Sequence, residues 1–303
     1  DEDSGVRRHA ALQMSQAIKA APKYADLLVE KLIDLFTDDE TDVLKCAIDQ
    51  ISQIVKEVPE RAKLLIKRLE EMFVDERDNV RHYAGVELFE VIMTAPEYAD
   101  SLVDKIIGMC GDDNEKVRQC FVYHVASTIA VSPHHADSLV EKFAEMLADD
   151  GVNVRELAIV QIPRTILAAP QHADLLVEKS TERLADDDKD VRIDAVQQIS
   201  QLIATAPQHA DLLVEKLTER LVDDDEGVRH LAVLQIPQVI AVLPKYADVL
   251  IEKLTMMFAD SDWEVRRAAV QKIPEVLAMA TKHAEQLLQK LGEMLTDEDE
   301  DVR

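Results

Sequence analysis

Glycine, proline and cysteine are all scarce in this 303-residue chain, at 7, 10 and 3 residues. So few glycines exclude the many tight turns of an all-β protein and leave no Gly-rich cradle for a phosphate. Cys46, Cys110 and Cys120 are an odd number in a long chain and supply no disulfide framework. That suits a reducing compartment, the cytoplasm first and the nucleus as the alternative. No stretch approaches the ~18 uninterrupted apolar residues of a membrane span, and no signal-like segment opens the chain. Basic residues are also few: 34 Lys and Arg face 60 Asp and Glu, a net charge of −26. Phosphate contacts need clustered cations, so nucleic acid is not an expected partner, and neither is a membrane. What is present is apolar residue at 47%, enough for a sizeable core and, with so few breakers, for helices.

Self-similarity organises those helices. A Val-Arg pair recurs at Val6-Arg7, Val80-Arg81, Val117-Arg118, Val154-Arg155, Val191-Arg192, Val228-Arg229, Val265-Arg266 and Val302-Arg303, with Val43-Leu44 in the remaining slot. Every step is 37 residues. Pro22, Pro59, Pro96, Pro133, Pro170, Pro207 and Pro244 keep the same step, and Thr281 takes the last slot. A period of this size containing two helical patterns indicates an α-solenoid. In one unit, Pro207 opens a first amphipathic helix carrying Leu213, Val214 and Leu217. The acidic run Asp223-Asp224-Asp225-Glu226-Gly227 ends it and caps a second helix, which runs roughly from Val228 to Leu243. Neither helix can close a core alone, so neighbours must stack.

The string Asp260-Ser261-Asp262-Trp263-Glu264-Val265-Arg266-Arg267-Ala268-Ala269 resembles the HEAT repeat. The array is similar to units of the protein phosphatase type 2A scaffold subunit and of importin-β-like carriers. This resemblance covers essentially the whole chain. It implies an all-α, right-handed α-solenoid of about eight stacked 37-residue repeats. Residues 1–303 would form a single array that starts at a second helix and ends after a first one, a segment of a longer array. It also implies that second helices line a concave surface. The Arg opening each second helix would then pair with a turn Asp in a ladder between repeats. The positions carrying that role are Arg81, Arg118, Arg155, Arg192, Arg229 and Arg266, and Leu44 leaves a gap.

Counting the Val as zero and 100° per residue, positions 0, 4, 5, 8 and 12 of the second helix face the core, and positions 2, 6, 10 and 13 face away. Along that outward stripe the first repeats offer the cations Arg8, Lys19, Lys45 and Lys56. Later repeats offer Val86, Met93, Tyr123, Val160, Leu167, Ile193 and Leu234, a candidate apolar patch for a protein or peptide partner. The competing reading buries these residues against neighbouring helices and leaves the cations merely solvated. Position 7, glutamine in five repeats, predicts a structural ladder in which stacked amides bond to one another or to groups of the next helix. Pro163, Pro237 and Pro274 predict bends.

No catalytic constellation appears, so no enzyme and no cofactor is expected. Metal binding is not expected either: histidines on successive repeats sit too far apart for one ion, and the adjacent His134 and His135 would point in different directions on a helix. The acidic turns lack the Gly and closing Glu of a calcium loop. The leading expectation is a non-enzymatic scaffold or adaptor that grips protein on its concave second-helix surface. The alternatives are a carrier of basic cargo, or a designed or recently duplicated array without an evolved ligand. Head-to-tail self-association is a further option, because the two ends share one sequence pattern.

Overall fold

The computed structural model describes residues 2–303, and all regular structure among them is helical. In chain order the helices are α1 (Ser4–Leu12), α2 (Met14–Ala20), α3 (Ala25–Asp34), α4 (Thr41–Ile48), α5 (Ile51–Glu57), α6 (Ala62–Met72), α7 (Asp78–Thr94), α8 (Ala99–Gly108) and α9 (Glu115–Val131). They continue as α10 (Ala136–Met146), α11 (Val152–Ala168), α12 (Ala173–Arg183), α13 (Lys189–Thr205), α14 (Ala210–Arg220), α15 (Glu226–Val242), α16 (Ala247–Met257), α17 (Trp263–Met279) and α18 (Ala284–Met294). The α1–α2 and α4–α5 pairs and α7, α9, α11, α13, α15 and α17 are second helices; the rest are first helices. The chain is an all-α solenoid of two-helix repeats. It divides into two compact units, residues up to Met146 and Leu147–Arg303.

Each proline of the 37-residue series opens a three-residue 3-10 turn that leads into a first helix, as Pro207–His209 leads into α14. The preceding residue leaves helical space, Ala206 at φ −133° and ψ 64°, and this ends the second helix. Ala280 adopts φ −136° and ψ 62° before Thr281 as well. The packing of the repeat therefore sets the corner, and the proline ring only fits it.

In the second unit Val154, Val191, Val228 and Val265 are fully buried, and so are Ala158, Ala195, Ala232 and Ala269 one turn on. Alanine at that point lets adjacent second helices approach. They pack directly, α11 on α13, α13 on α15 and α15 on α17, whereas adjacent first helices make no comparable contact and rest on their own second helices. In the first unit α7 packs on α9 and α5 on α7 in the same way. Each buried Val, Leu or Ile contributes roughly 1.5–3 kcal/mol, so the stacking face dominates stability.

The three in-helix prolines do not interrupt their helices: α11, α15 and α17 each run 17 residues through Pro163, Pro237 or Pro274. The breaks fall instead in proline-free second helices, at Gln13 and at Asp49–Gln50. All three prolines occupy position 9, shared by Ser15 and Ser52. In those two second helices position 9 lies just after the break, and Ser15 and Ser52 point their backbone N–H groups at the Oε1 atoms of Gln50 and Glu87 on the next repeat.

At position 7 the bonds run to groups of the neighbouring second helix, one of the two arrangements open to the amides, and not from amide to amide. Gln50 accepts from the Ser15 hydroxyl at 2.8 Å, Glu87 accepts from Ser52, and the His124 ring stacks on Phe89 at 4.2 Å. Glu87 is 3% exposed, and burial pushes its carboxyl up to about 8. A folded value above the ordinary 4.5 means that stability is intact below about pH 4.5 and is lost as pH climbs towards 8. Glu87→Gln keeps the acceptor oxygen and removes the charge. It should leave stability near pH 4 unchanged and raise it by about 1–3 kcal/mol above pH 8. Urea titrations at the two pH values check this, and an equal effect at both contradicts it.

Candidate functional site

The acidic turns before α4, α7, α9, α11, α13, α15 and α17 share one bond: the first Asp accepts the N–H two residues on, as Asp186 accepts from Asp188 at 3.0 Å and Asp260 from Asp262 at 2.9 Å. In some of them a later Asp or Asn also caps the second helix: Asn114, Asp188, Asp225 and Asp262 each accept a first-turn N–H, whereas Glu40, Arg77 and Gly151 make no side-chain cap. Such a cap contributes about 1 kcal/mol.

The Arg that opens a second helix then ties two turns together. Arg155 donates to the Asp149 carbonyl of its own turn at 2.8 Å and reaches Asp186 of the next at 3.1 Å. Arg81 to Asp112 (2.8 Å), Arg192 to Asp223 (3.1 Å), Arg229 to Asp260 (2.9 Å) and Arg266 to Asp297 (2.8 Å) repeat the pattern. Arg7 adds the same bond to Asp38. Arg118 donates to the Asp112 carbonyl of its own turn. Leu44 is buried and offers no such bond, and Asp75 takes Arg77 from its own turn instead. Hydrogen bonds from Arg7 and Arg266 hold the Asp38 and Asp297 carboxyls below the usual range.

A second inter-repeat ladder runs along the first helices and was not anticipated from the sequence. The first-turn Asp of one first helix faces the residue two places after the next Pro slot. Asp26 accepts from Arg61 at 2.7 Å, Asp174 lies 2.8 Å from His209, and Asp248 lies 2.9 Å from His283. Its signal is the Ala-Asp pair that follows six of the eight Pro slots, as at Ala25-Asp26 and Ala173-Asp174. The expected divergence of His134 and His135 is corrected here. They lie in a 3-10 turn, and both rings approach Asp100 Oδ1, at 2.9 and 3.8 Å.

Four of the seven residues of the candidate apolar patch are well exposed: Met93 (53%), Tyr123 (52%), Val160 (40%) and Leu167 (67%). Val86, Ile193 and Leu234 are half-buried. Leu12 shares position 6, is 38% exposed, and was passed over in the sequence reading. Among the cations, Lys45 lies 2.7 Å from Asp49 and Lys19 lies 3.3 Å from Glu57, so both are neutralised within the array. Arg8 and Lys56 remain exposed. Clefts on this face are small, about 210 Å³ beside His230, Arg267 and Gln271 and about 70 Å³ beside Gln16, Lys19 and Gln53. Small-molecule sites run to roughly 300–1,000 Å³. Cys46 and Cys120 are buried, and burial pushes the Cys120 thiol up to about 12, which suits packing and not nucleophilic attack.

A family model described as the adaptin N terminal region matches residues 1–298. The chain belongs to the adaptin N-terminal-region family. No curated protein matches it. A solved structure on Kap95p binding to RanGDP superimposes with a TM-score of 0.68 at 15% identity, over 100% of this chain and 41% of that one. Kap121p bound to the extreme C-terminus of the protein phosphatase Cdc14p gives 0.70 at 13% identity, over 100% and 35%. At such identities the likeness is one of fold, and this adaptin-N chain spans less than half the length of either. It is a HEAT-type helical-repeat protein.

Arg155→Ala tests the turn ladder. Asp186, its side chain 4% exposed, would lose an ion-pair partner, at a cost of about 1–3 kcal/mol once solvent screening is allowed for. The Asp186 carboxyl is held low against the burial that raises it, by the Asp188 N–H and by Arg155. Stability from a lowered carboxyl is present above its ordinary 3.8 and lost as pH falls through the lowered value. Arg155→Ala should therefore also lose less stability than the parent between about pH 4 and pH 2. Denaturant titrations showing no change at neutral pH, or an unchanged acid slope, contradict the assignment.

Proposed function

We propose that this adaptin-N array is a non-catalytic protein-binding scaffold whose second-helix face grips a partner segment. The observation that carries the reading is the exposure of Met93 and Tyr123 in one unit and of Val160 and Leu167 in the other, at matched positions of a face with only small clefts. Apolar side chains left at repeated positions are a mark of protein recognition. Within each unit the second helices pack directly on one another and the first helices do not, which supports a concave surface on the second-helix face. The 37-residue step passes from Val117 to Val154 without insertion, which supports one array across both units.

A carrier of basic cargo is the second reading. It is favoured by the net charge of −26 and by the fold shared with Kap95p and Kap121p, which belong to complexes with protein partners. Stacked acidic turns form a negative rim whose field attracts cationic segments. Head-to-tail association of copies is a finer option that concentration-dependent light scattering would reveal.

The test is capture of partners from an extract by the parent chain and by a variant carrying Met93→Lys, Tyr123→Lys, Val160→Lys and Leu167→Lys. These side chains are exposed, so the variant should melt with the parent. The scaffold reading predicts capture that resists salt and falls at least about tenfold in the variant. Capture of Lys/Arg-rich proteins that fades with salt and ignores the substitutions would favour the carrier. No specific capture by either chain would favour an array without an evolved ligand.

A further inference from the structure

One repeat departs from all the others at two positions, which converge with a third residue on a single carboxylate. The residue before the Pro slot is Ala21, Val58, Ala95, Ala169, Ala206, Leu243 or Ala280 elsewhere, and Ser132 only here. The residue after the slot is Lys23, Glu60, Glu97, Gln171, Gln208, Lys245 or Lys282 elsewhere, and His134 only here. His135 follows it in the slot that pairs with the preceding first helix. The Ser132 hydroxyl, in a residue 1% exposed, donates to Asp100 Oδ1 at 2.6 Å. His134 Nε2 lies 2.9 Å and His135 Nε2 3.8 Å from the same oxygen, and the two ring centroids are 4.3 Å apart.

From this convergence we infer that Asp100, His134 and His135 form a binding site for a borderline divalent cation of the Zn²⁺ type. The three ligand atoms lie within 4.8 Å of one another. Donors around a tetrahedral zinc stand about 3.3 Å apart, given bonds of about 2.0–2.1 Å, so small rotations of the exposed His134 and half-buried His135 imidazoles suffice. Two imidazoles and a carboxylate are the donor set that Zn²⁺, Ni²⁺ and Cu²⁺ prefer over Mg²⁺ or Ca²⁺. Water completes the shell on the solvent side. Ser132 is a positioning residue: its buried hydroxyl fixes the carboxylate that the cation would share. A second histidine is not required by the first-helix ladder, since Asp174 and Asp248 each make the same contact with one imidazole, His209 or His283. The strongly acidic chain raises the local cation concentration.

Isothermal titration of Zn²⁺ into the full chain, near neutral pH with a phosphine reductant, tests the site. One saturable site per chain in the micromolar range is expected. His134→Ala and Asp100→Asn should each weaken it at least about tenfold, and His209→Ala should leave it unchanged. Ser132→Ala, which installs the residue common to other repeats, should weaken binding about tenfold without lowering the metal-free melting temperature. No saturable binding below about 100 µM overturns the site. So does binding that survives the His134→Ala, His135→Ala double variant, or that disappears in a variant lacking only the three cysteines.

Discussion

A two-helix repeat cannot bury its own apolar stripe, and the rest of the molecule answers that constraint. The next copy must arrive at one fixed offset, so Val at position 0 and Ala at position 4 of the second helix recur unchanged in type from Val154 and Ala158 to Val265 and Ala269. Close helix contact leaves little freedom there. Polar registers then fix the offset on both edges. At one edge Arg reaches the next repeat's turn Asp; at the other a first-turn Asp meets Arg or His from the next repeat. Single pairs of this kind contribute modestly, but repeated along the array they select one stacking arrangement among many.

Function follows from what stacking leaves over. Core and ladder positions are committed, and the outward stripe of the second helices is where residues differ between repeats: Leu12, Asp49, Tyr123, Val160 and Gln197 share one position. A surface of this kind recognises through the sum of shallow contacts spread along successive helices, as an extended protein segment requires and a small substrate does not. That physical economy connects the fold to the reading of this adaptin-N chain as a binding protein.

The architecture was readable in the sequence because its signal is a period, and a period survives uncertainty about any one residue. The offset of 37 located each turn, each capped helix and the Arg positions. What depended on distance between repeats was not readable. A helical wheel gives the direction of Val86, Ile193 and Leu234 but not how near the next helix comes, so their partial burial needed coordinates. The Asp26–Arg61 and Asp174–His209 contacts join positions 35 apart in sequence, an offset that only the stacking geometry defines. His134 and His135 were misjudged for a local reason. They occupy a 3-10 turn, not the α-helix assumed, and both side chains reach the same neighbour. The in-helix prolines leave α11, α15 and α17 unbroken, whereas the breaks at Gln13 and Asp49–Gln50 fall where no proline signals them.

Hydrogen–deuterium exchange of the chain with and without a captured partner addresses the binding face most directly. Protection is predicted in α7, α9 and α11, which carry Met93, Tyr123, Val160 and Leu167, with the first helices α8, α10 and α12 unchanged. Protection confined to the first helices, or to the acidic turns alone, would contradict the account.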